Sequence, residues 1–159
     1  MNITLITVGK IKEKYLKDAI DEYSKRLTRY CKLEIIELPD EKTPDNAKEK
    51  EEQQIKEKEG DLILSKVKDS SYVIAMDLKG KHITSEEFSN LIDNLGVTGN
   101  PNITFIIGGS LGLSQKVIQR ANYKLCFSKM TFPHQLFRVM LLEQIYRAFR
   151  IMKNEPYHK

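Results

Sequence analysis

Apolar positions along this chain fall into short β-branched runs separated by stripes at helical spacing. Ile3 to Val8 is β-rich and alternating, which predicts a strand that turns at Gly9-Lys10. Lys12 to Arg29 carries Tyr15, Leu16, Ala19, Ile20, Tyr23 and Leu27 at helical intervals, giving a helix with one apolar face. Leu33 to Leu38 predicts a second strand, stopped by Pro39-Asp40. From Glu41 to Glu59, 12 of 19 residues are charged with mixed signs, so this stretch reads as a solvated face, either a loop or an exposed helix starting near Asp45. Gly60 to Lys68 continues helically through Leu62, Ile63, Leu64 and Val67. Tyr72 to Leu78 predicts a third strand ending in Lys79-Gly80-Lys81. Thr84-Ser85-Glu86-Glu87 is a helix-start signal, with Ser85 as the expected cap ahead of Phe88, Leu91, Ile92 and Leu95. The pattern closes with a strand at Ile103–Ile107, a short helix over Ser114–Asn122, a strand at Tyr123–Phe127 and a long helix over His134–Met152. Strands alternating with helices imply an α/β fold with a mostly parallel sheet covered on both sides. With no repeat or linker to divide it, the chain reads as one domain over residues 1–159.

The last helix is apolar on more than one side. Leu136, Phe137, Val139, Met140, Leu141, Leu142, Ile145, Tyr146, Ala148, Phe149, Ile151 and Met152 cover more than one face of it. A terminal helix of a domain this small rarely buries itself all round, so one side is expected to meet a second subunit. Glu143, Arg147 and Arg150 project together, and Glu143 precedes Arg147 by four residues, the favourable order for an intrahelical pair. Two readings of Arg147 stand: a partner of Glu143 on a wet surface, or a covered arginine awaiting an anion.

Composition narrows the classes. Hydrophobic residues make up 40% and charged residues 30% of the 159, values of an ordinary globular chain. No apolar run approaches the roughly 20 residues that cross a bilayer. Met1-Asn2-Ile3-Thr4 leads directly into a strand, and Cys31 and Cys126 lie too far apart for metal-ligand spacing; a cytoplasmic protein without membrane or metal is expected. The net charge of +4 is unevenly spread: Ser114 to Lys159 holds nine Lys or Arg against two Glu. A basic C-terminal third suits a polyanion such as RNA, or is simply a basic surface.

Two turns carry the candidate chemistry. Gly108-Gly109-Ser110-Leu111-Gly112 follows the Ile103–Ile107 strand, and Ser128-Lys129-Met130-Thr131-Phe132-Pro133-His134 follows the next. Loops at the carboxyl ends of parallel strands are where open α/β sheets bind ligands. The glycine run matches neither the phosphate-binding P-loop nor the dinucleotide fingerprint, so a tight turn and a ligand loop both remain open. Pro133 fits the first turn of the last helix, and His134 reads as a helix-start residue satisfying backbone groups or as a catalytic group. The tail Pro156-Tyr157-His158-Lys159 offers stacking, proton transfer and charge where chain ends are usually dispensable.

With these motifs in order, the chain resembles the ribosomal RNA large subunit methyltransferase H family of the SPOUT class. The resemblance runs from Ile3-Thr4-Leu5-Ile6-Thr7-Val8-Gly9-Lys10 to the tail and is most specific in Ile107–Leu113, Ser128–His134, Arg138-Val139, Glu143 with Tyr146-Arg147-Ala148, and Pro156-Tyr157-His158. It implies an α/β fold with a C-terminal trefoil knot, a homodimer, and transfer of a methyl group from S-adenosylmethionine to N3 of a pseudouridine in 23S rRNA of the assembled ribosome. By the same resemblance, Met76, Gly108, Phe127, Ser128, Lys129, Met130, Thr131 and Phe132 would hold the cofactor. Met76 stands where many relatives carry leucine, a swap of similar volume. A side chain at Gly108 is expected to intrude on the cofactor.

The implied chemistry assigns the remaining roles. The sulfonium methyl is already activated, so alignment dominates. An imide nitrogen must lose its proton, and its developing charge favours cationic or hydrogen-bonding neighbours. Arg147, Tyr157 and His158 are the catalytic candidates: Arg147 for the anion or a phosphate, Tyr157 for the base, and His158 as proton acceptor. A non-catalytic RNA-binding module and a phosphate-binding α/β protein are the alternatives from other classes.

Overall fold

The computed structural model describes residues 1–159. Its core is a single five-stranded sheet made of β1 (Asn2–Val8), β2 (Lys32–Leu38), β3 (Tyr72–His82), β4 (Asn102–Ile107) and β5 (Tyr123–Cys126), in the order β2-β1-β4-β3-β5. All four pairings are parallel. Parallel neighbours need crossovers, which here are helical: α1 (Lys14–Leu27), α2 (Glu49–Lys66), α3 (Ser85–Val97) and α4 (Gln115–Arg120), with α5 (His134–Met152) closing the chain. Because every strand points the same way, all five carboxyl ends lie along one edge.

Strand alternation divides the interior into two cores. Ile3 and Leu5 of β1, Ile74 of β3 and Phe105 of β4 face α1, α3 and α5, where Leu27, Ile92, Leu142 and Ile145 complete the larger cluster. Ile6, Val8, Val73 and Ile106 point the other way, against Ile63 of α2 and Val117 of α4. The expected α/β class with both sheet faces covered is therefore what forms. Each fully buried Leu, Ile or Phe contributes about 1.5–3 kcal/mol relative to exposure, so the face carrying α5 dominates the packing.

Several boundaries differ from the sequence-based expectation. The charged run 41–59 becomes helical only from Glu49, and its last residue, Glu59, is buried rather than solvated. Glu59 shares a helical stripe with Ile55 and Ile63, so packing of that stripe draws its carboxylate in. β3 runs on to His82 instead of stopping at Leu78. Met76 and Lys81 both register against Leu125 of β5, leaving Asp77–Gly80 as an outward bulge. Gly80 makes this possible, because a Cβ there would lie 2.7 Å from the Lys124 backbone. The cap of α3 is Thr84, not Ser85: the Thr84 hydroxyl accepts from the Glu87 N–H at 3.1 Å and the Glu87 carboxylate accepts from the Thr84 N–H at 2.7 Å. Ser85 instead donates to Gln144 on α5 at 2.7 Å. Pro133 stands at the N-cap of α5 rather than inside its first turn.

One charged side chain lies wholly inside. Arg138 of α5 is 1% exposed. It donates to the Glu37 carboxylate on β2 at 2.9 Å and to the carbonyls of Val8 and Gly9 at 3.0 and 2.8 Å, while its Nε has no partner. The same Glu37 oxygen accepts from the Ile11 N–H at 3.1 Å. Gly9 turns the chain there with a φ of +91°, in the left-handed region that favours glycine. Replacing Arg138 with Met removes three hydrogen bonds, takes their donor from two carbonyls and leaves the Glu37 carboxylate with the Ile11 N–H but no countercharge. Arg138→Met is expected to cost about 3 kcal/mol, read as a lowered urea midpoint; a change below about 1 kcal/mol would contradict this role.

Candidate active site

The loops after β4 and β5, with the bulge of β3, enclose a cavity of about 290 Å³ at the carboxyl edge of the sheet. After Ile107 the chain folds back on itself: the Gly112 N–H donates to the Gly109 carbonyl at 3.1 Å, with Gly112 at φ +84°. A Cβ on Gly108 would lie 2.9 Å from Leu113 and 3.0 Å from the Gly112 carbonyl group. Glycine is thus required at 108 by the loop's own closure, a reason additional to the expected clearance for a ligand. Beneath the loop, Glu59 lies 3.2 Å from where a Gly109 Cβ would stand and accepts from the Glu41 N–H at 3.1 Å. Burial holds the Glu59 carboxyl above the usual carboxylate range.

The second loop is shaped by local hydrogen bonds and by an aromatic clamp. The Ser128 hydroxyl accepts from the Met130 N–H at 3.0 Å, and the Cys126 thiol donates to the Ser128 carbonyl at 3.1 Å. Phe137 of α5 touches both ends of the loop, with its ring 4.9 Å from that of Phe127 and 6.4 Å from that of Phe132. Of the residues expected to hold a cofactor, Met76, Gly108, Phe127, Ser128, Met130, Thr131 and Phe132 all line the cavity. Lys129 is exposed and does not.

Asp77 and Phe137, which sequence reasoning did not single out for the site, stand in the same wall, as do Ser110 of the candidate glycine loop and His134, which was weighed as a helix-start or catalytic group. Asp77 and His134 are the ionisable carboxyl and imidazole of that lining, and no Lys or Arg contributes to it. His134 makes no capping hydrogen bond, contrary to the helix-start expectation. Burial and the neighbouring Arg138 push its imidazole pKa down, against the opposing pull of Asp40.

The three candidates from α5 and the tail form a separate cluster. Glu143 accepts from Arg147 Nε and Nη2 at 3.0 and 2.5 Å and from the Tyr157 hydroxyl at 3.0 Å. The Arg147 guanidinium lies 4.7 Å from the Tyr157 ring centroid. With 24% of its side chain exposed, Arg147 is neither on a wet surface nor free of a partner. Arg147 Nη1 stands 3.1 Å from His158 Nδ1, and His158 Nε2 stands 2.6 Å from Glu86. A guanidinium only donates, so His158 Nδ1 accepts and Nε2 carries the proton to Glu86. That contact, first of all, holds the Glu86 carboxyl below its ordinary range.

The tail is fastened rather than loose. Glu155 accepts from the Tyr30 hydroxyl at 2.8 Å and from Arg150 at 2.5 Å, and Arg150 also donates to the Pro156 carbonyl at 2.8 Å. Arg147, Tyr157 and His158 do not line the 290 Å³ cavity. Glu143 links the two regions, because it lines a groove of about 460 Å³ that shares Leu125, Phe127, Ser128 and Phe132 with that cavity.

The family described as predicted SPOUT methyltransferase matches residues 1–158. The chain belongs to the SPOUT methyltransferase family. It is 84% identical to ribosomal RNA large subunit methyltransferase H 1 of Clostridium perfringens, 80% to the methyltransferase H of Clostridium beijerinckii and 74% to that of Clostridium tetani, each over 159 residues and the full length of both proteins. As a SPOUT methyltransferase the protein moves a methyl group from a donor. No helix of this SPOUT methyltransferase is long and apolar enough to cross a membrane.

The tail cluster makes a titration testable. Burial, then the hydroxyl's hydrogen bond to the Glu143 carboxylate, push Tyr157 up to about 12, because both favour the neutral phenol. Glu143→Gln keeps a hydrogen-bonding side chain but removes the charge. Tyr157 is then expected to ionise closer to the ordinary 10.0, followed by the ring-carbon NMR signal of labelled tyrosine with Tyr157→Phe for assignment. An unmoved midpoint would contradict the coupling.

Proposed function

We propose that the protein transfers a methyl group from S-adenosylmethionine to N3 of a pseudouridine in 23S rRNA, acting on the assembled ribosome as a homodimer. The observation that carries this reading is the lining of the cavity at the strand ends. Its walls are apolar at Met76, Leu78, Phe127 and Phe132, polar at Asp77, Ser128 and Thr131, and free of Lys and Arg. A site for a phosphate needs cationic or clustered backbone donors. A donor with a sulfonium, an ammonium and one carboxylate carries net positive charge, and a wall without Lys or Arg suits it. This favours methyl transfer over the phosphate-binding alternative. The names of the full-length relatives support ribosomal RNA of the large subunit as the acceptor.

The donor supplies an activated methyl group; the chain supplies position and charge. Met76 and the aromatic clamp of Phe127, Phe132 and Phe137 would sandwich the adenine, with Asp77, Ser128 and Thr131 offered to the polar groups. Lys129, outside this wall, would then act on the donor through its backbone or on the RNA. Arg147 would stabilise the base as its imide proton leaves, and Tyr157 would orient it. For His158 to accept the proton, its Nδ1 must first part from Arg147. The exposed side of α5 is the surface offered to the second copy: Leu136 is 41% exposed, and Phe137, Val139 and Met140 are only partly covered. The knot expected of the class belongs to the same reading, in the segment from β4 to α5 that builds the cavity.

The direct experiment incubates the protein with labelled S-adenosylmethionine and ribosomes from cells lacking the modification, followed by nucleoside mass spectrometry. Label on pseudouridine N3 of the large-subunit RNA, from a sample that scatters light as a dimer of the 18.4 kDa chain, is the expected result. Salt-sensitive RNA binding with no transfer would favour the binding-module alternative.

A further inference from the structure

His134 is the one imidazole in the wall of the cavity at the strand ends. It opens α5 directly after the loop whose residues line that cavity, yet it takes no part in capping the helix. His158, by contrast, has both ring nitrogens engaged, by Arg147 and Glu86. The ring of His134 is half-buried and feels opposite charges: Arg138, four residues on along its own helix, and Asp40 from the connection after β2. Arg138 is itself anchored to Glu37 and to the carbonyls of Val8 and Gly9, so its charge cannot move away. Asp77 is the carboxyl of the cavity wall, which also holds the Cys126 thiol. A neutral imidazole presents one N–H donor and one lone pair, a pairing that matches the carboxylate and ammonium at the amino-acid end of the donor.

We propose that His134 is a donor-binding residue, a neutral imidazole hydrogen-bonded to the amino-acid end of bound S-adenosylmethionine, and that its protonation releases the donor. The inference rests on the proposed cofactor. The buried Arg138, one helical turn on, favours the neutral form of the ring, and this is a second role for the guanidinium beyond joining strands to helix. Protonation would set a cation against a ligand that is already net positive. S-adenosylhomocysteine, which lacks the sulfonium charge, is repelled less. Acidification therefore weakens the substrate form of the cofactor more than the product form.

The test is calorimetric binding of both ligands to the full chain between pH 5.5 and 8, in the wild type and in His134→Asn. In the wild type, affinity falls as the ring protonates, by at most about tenfold per pH unit for one linked proton, and the total loss is larger for S-adenosylmethionine. The variant binds both more weakly at pH 8, and both of its pH curves are flatter. Imidazole ¹⁵N NMR at pH 7.5 supplies a readout independent of affinity, with the His134 ring signals shifting on addition of S-adenosylhomocysteine. Parallel pH curves in wild type and variant, or unmoved His134 signals at saturating ligand, would overturn the proposal alone. A wild type that binds neither ligand would overturn both this and the cofactor reading beneath it.

Discussion

The guanidinium of Arg138 is the interaction on which the functional edge of this fold depends. It reaches from the first turns of the last helix to the ends of the first two strands, joining segments about 100 and 130 residues apart in the sequence. Burying a charge is unfavourable unless it is paired and hydrogen-bonded. Here Glu37 supplies the countercharge, and the carbonyls of Val8, the last residue of β1, and of Gly9 just past it supply the remaining acceptors. Fixing Arg138 fixes the start of α5. That in turn fixes His134 and Phe137, and through Phe137 the two ends of the 127–132 loop.

Two apolar cores hold the sheet, but they constrain its carboxyl edge only indirectly. The cavity there is built by three departures from regular structure: the glycine turn after β4, the Ser128 turn after β5 and the four-residue bulge in β3. The first and the last involve close backbone approach, at Gly108 against Gly112 and at Gly80 against the Lys124 backbone, and the Ser128 turn is held by its hydroxyl accepting from the Met130 N–H. The tail cluster follows different rules. Glu143 gathers Arg147 and Tyr157, Glu86 takes the proton of His158, and Glu155 fastens the chain end to Tyr30 and Arg150. Three carboxylates thus order a basic, aromatic tail that would otherwise be free to sample many conformations.

Much of this was readable in the residues. Buried parallel strands are continuous β-branched runs, so Ile3–Val8 and Ile103–Ile107 announce themselves, and α5 begins and ends where its apolar pattern does. The Thr84 cap was readable too: Glu87 stands three residues after Thr84, whereas Phe88 stands three after Ser85, and only the former makes a capping box. The extension of β3 was not, because Lys79-Gly80-Lys81 has the composition of a turn and only tertiary pairing with β5 makes it a strand. Glu59 hid within a charged run whose average polarity masked its place on the Ile55–Ile63 stripe. Most cavity residues were found through loop position and family resemblance. Asp77 was missed because the bulge that brings it to the wall depends on contacts distant in sequence, and His134, open between a helix-start and a catalytic reading, reaches the wall through the anchoring of α5.

Two adjoining cavities could receive the methyl donor, and a crystal structure of the protein grown with S-adenosylhomocysteine decides between them. The ligand is expected in the 290 Å³ cavity among Met76, Gly108, Phe127 and Phe132. Ligand seated instead in the 460 Å³ groove against Glu143 and Gln144, with the strand-end cavity empty, would contradict that expectation.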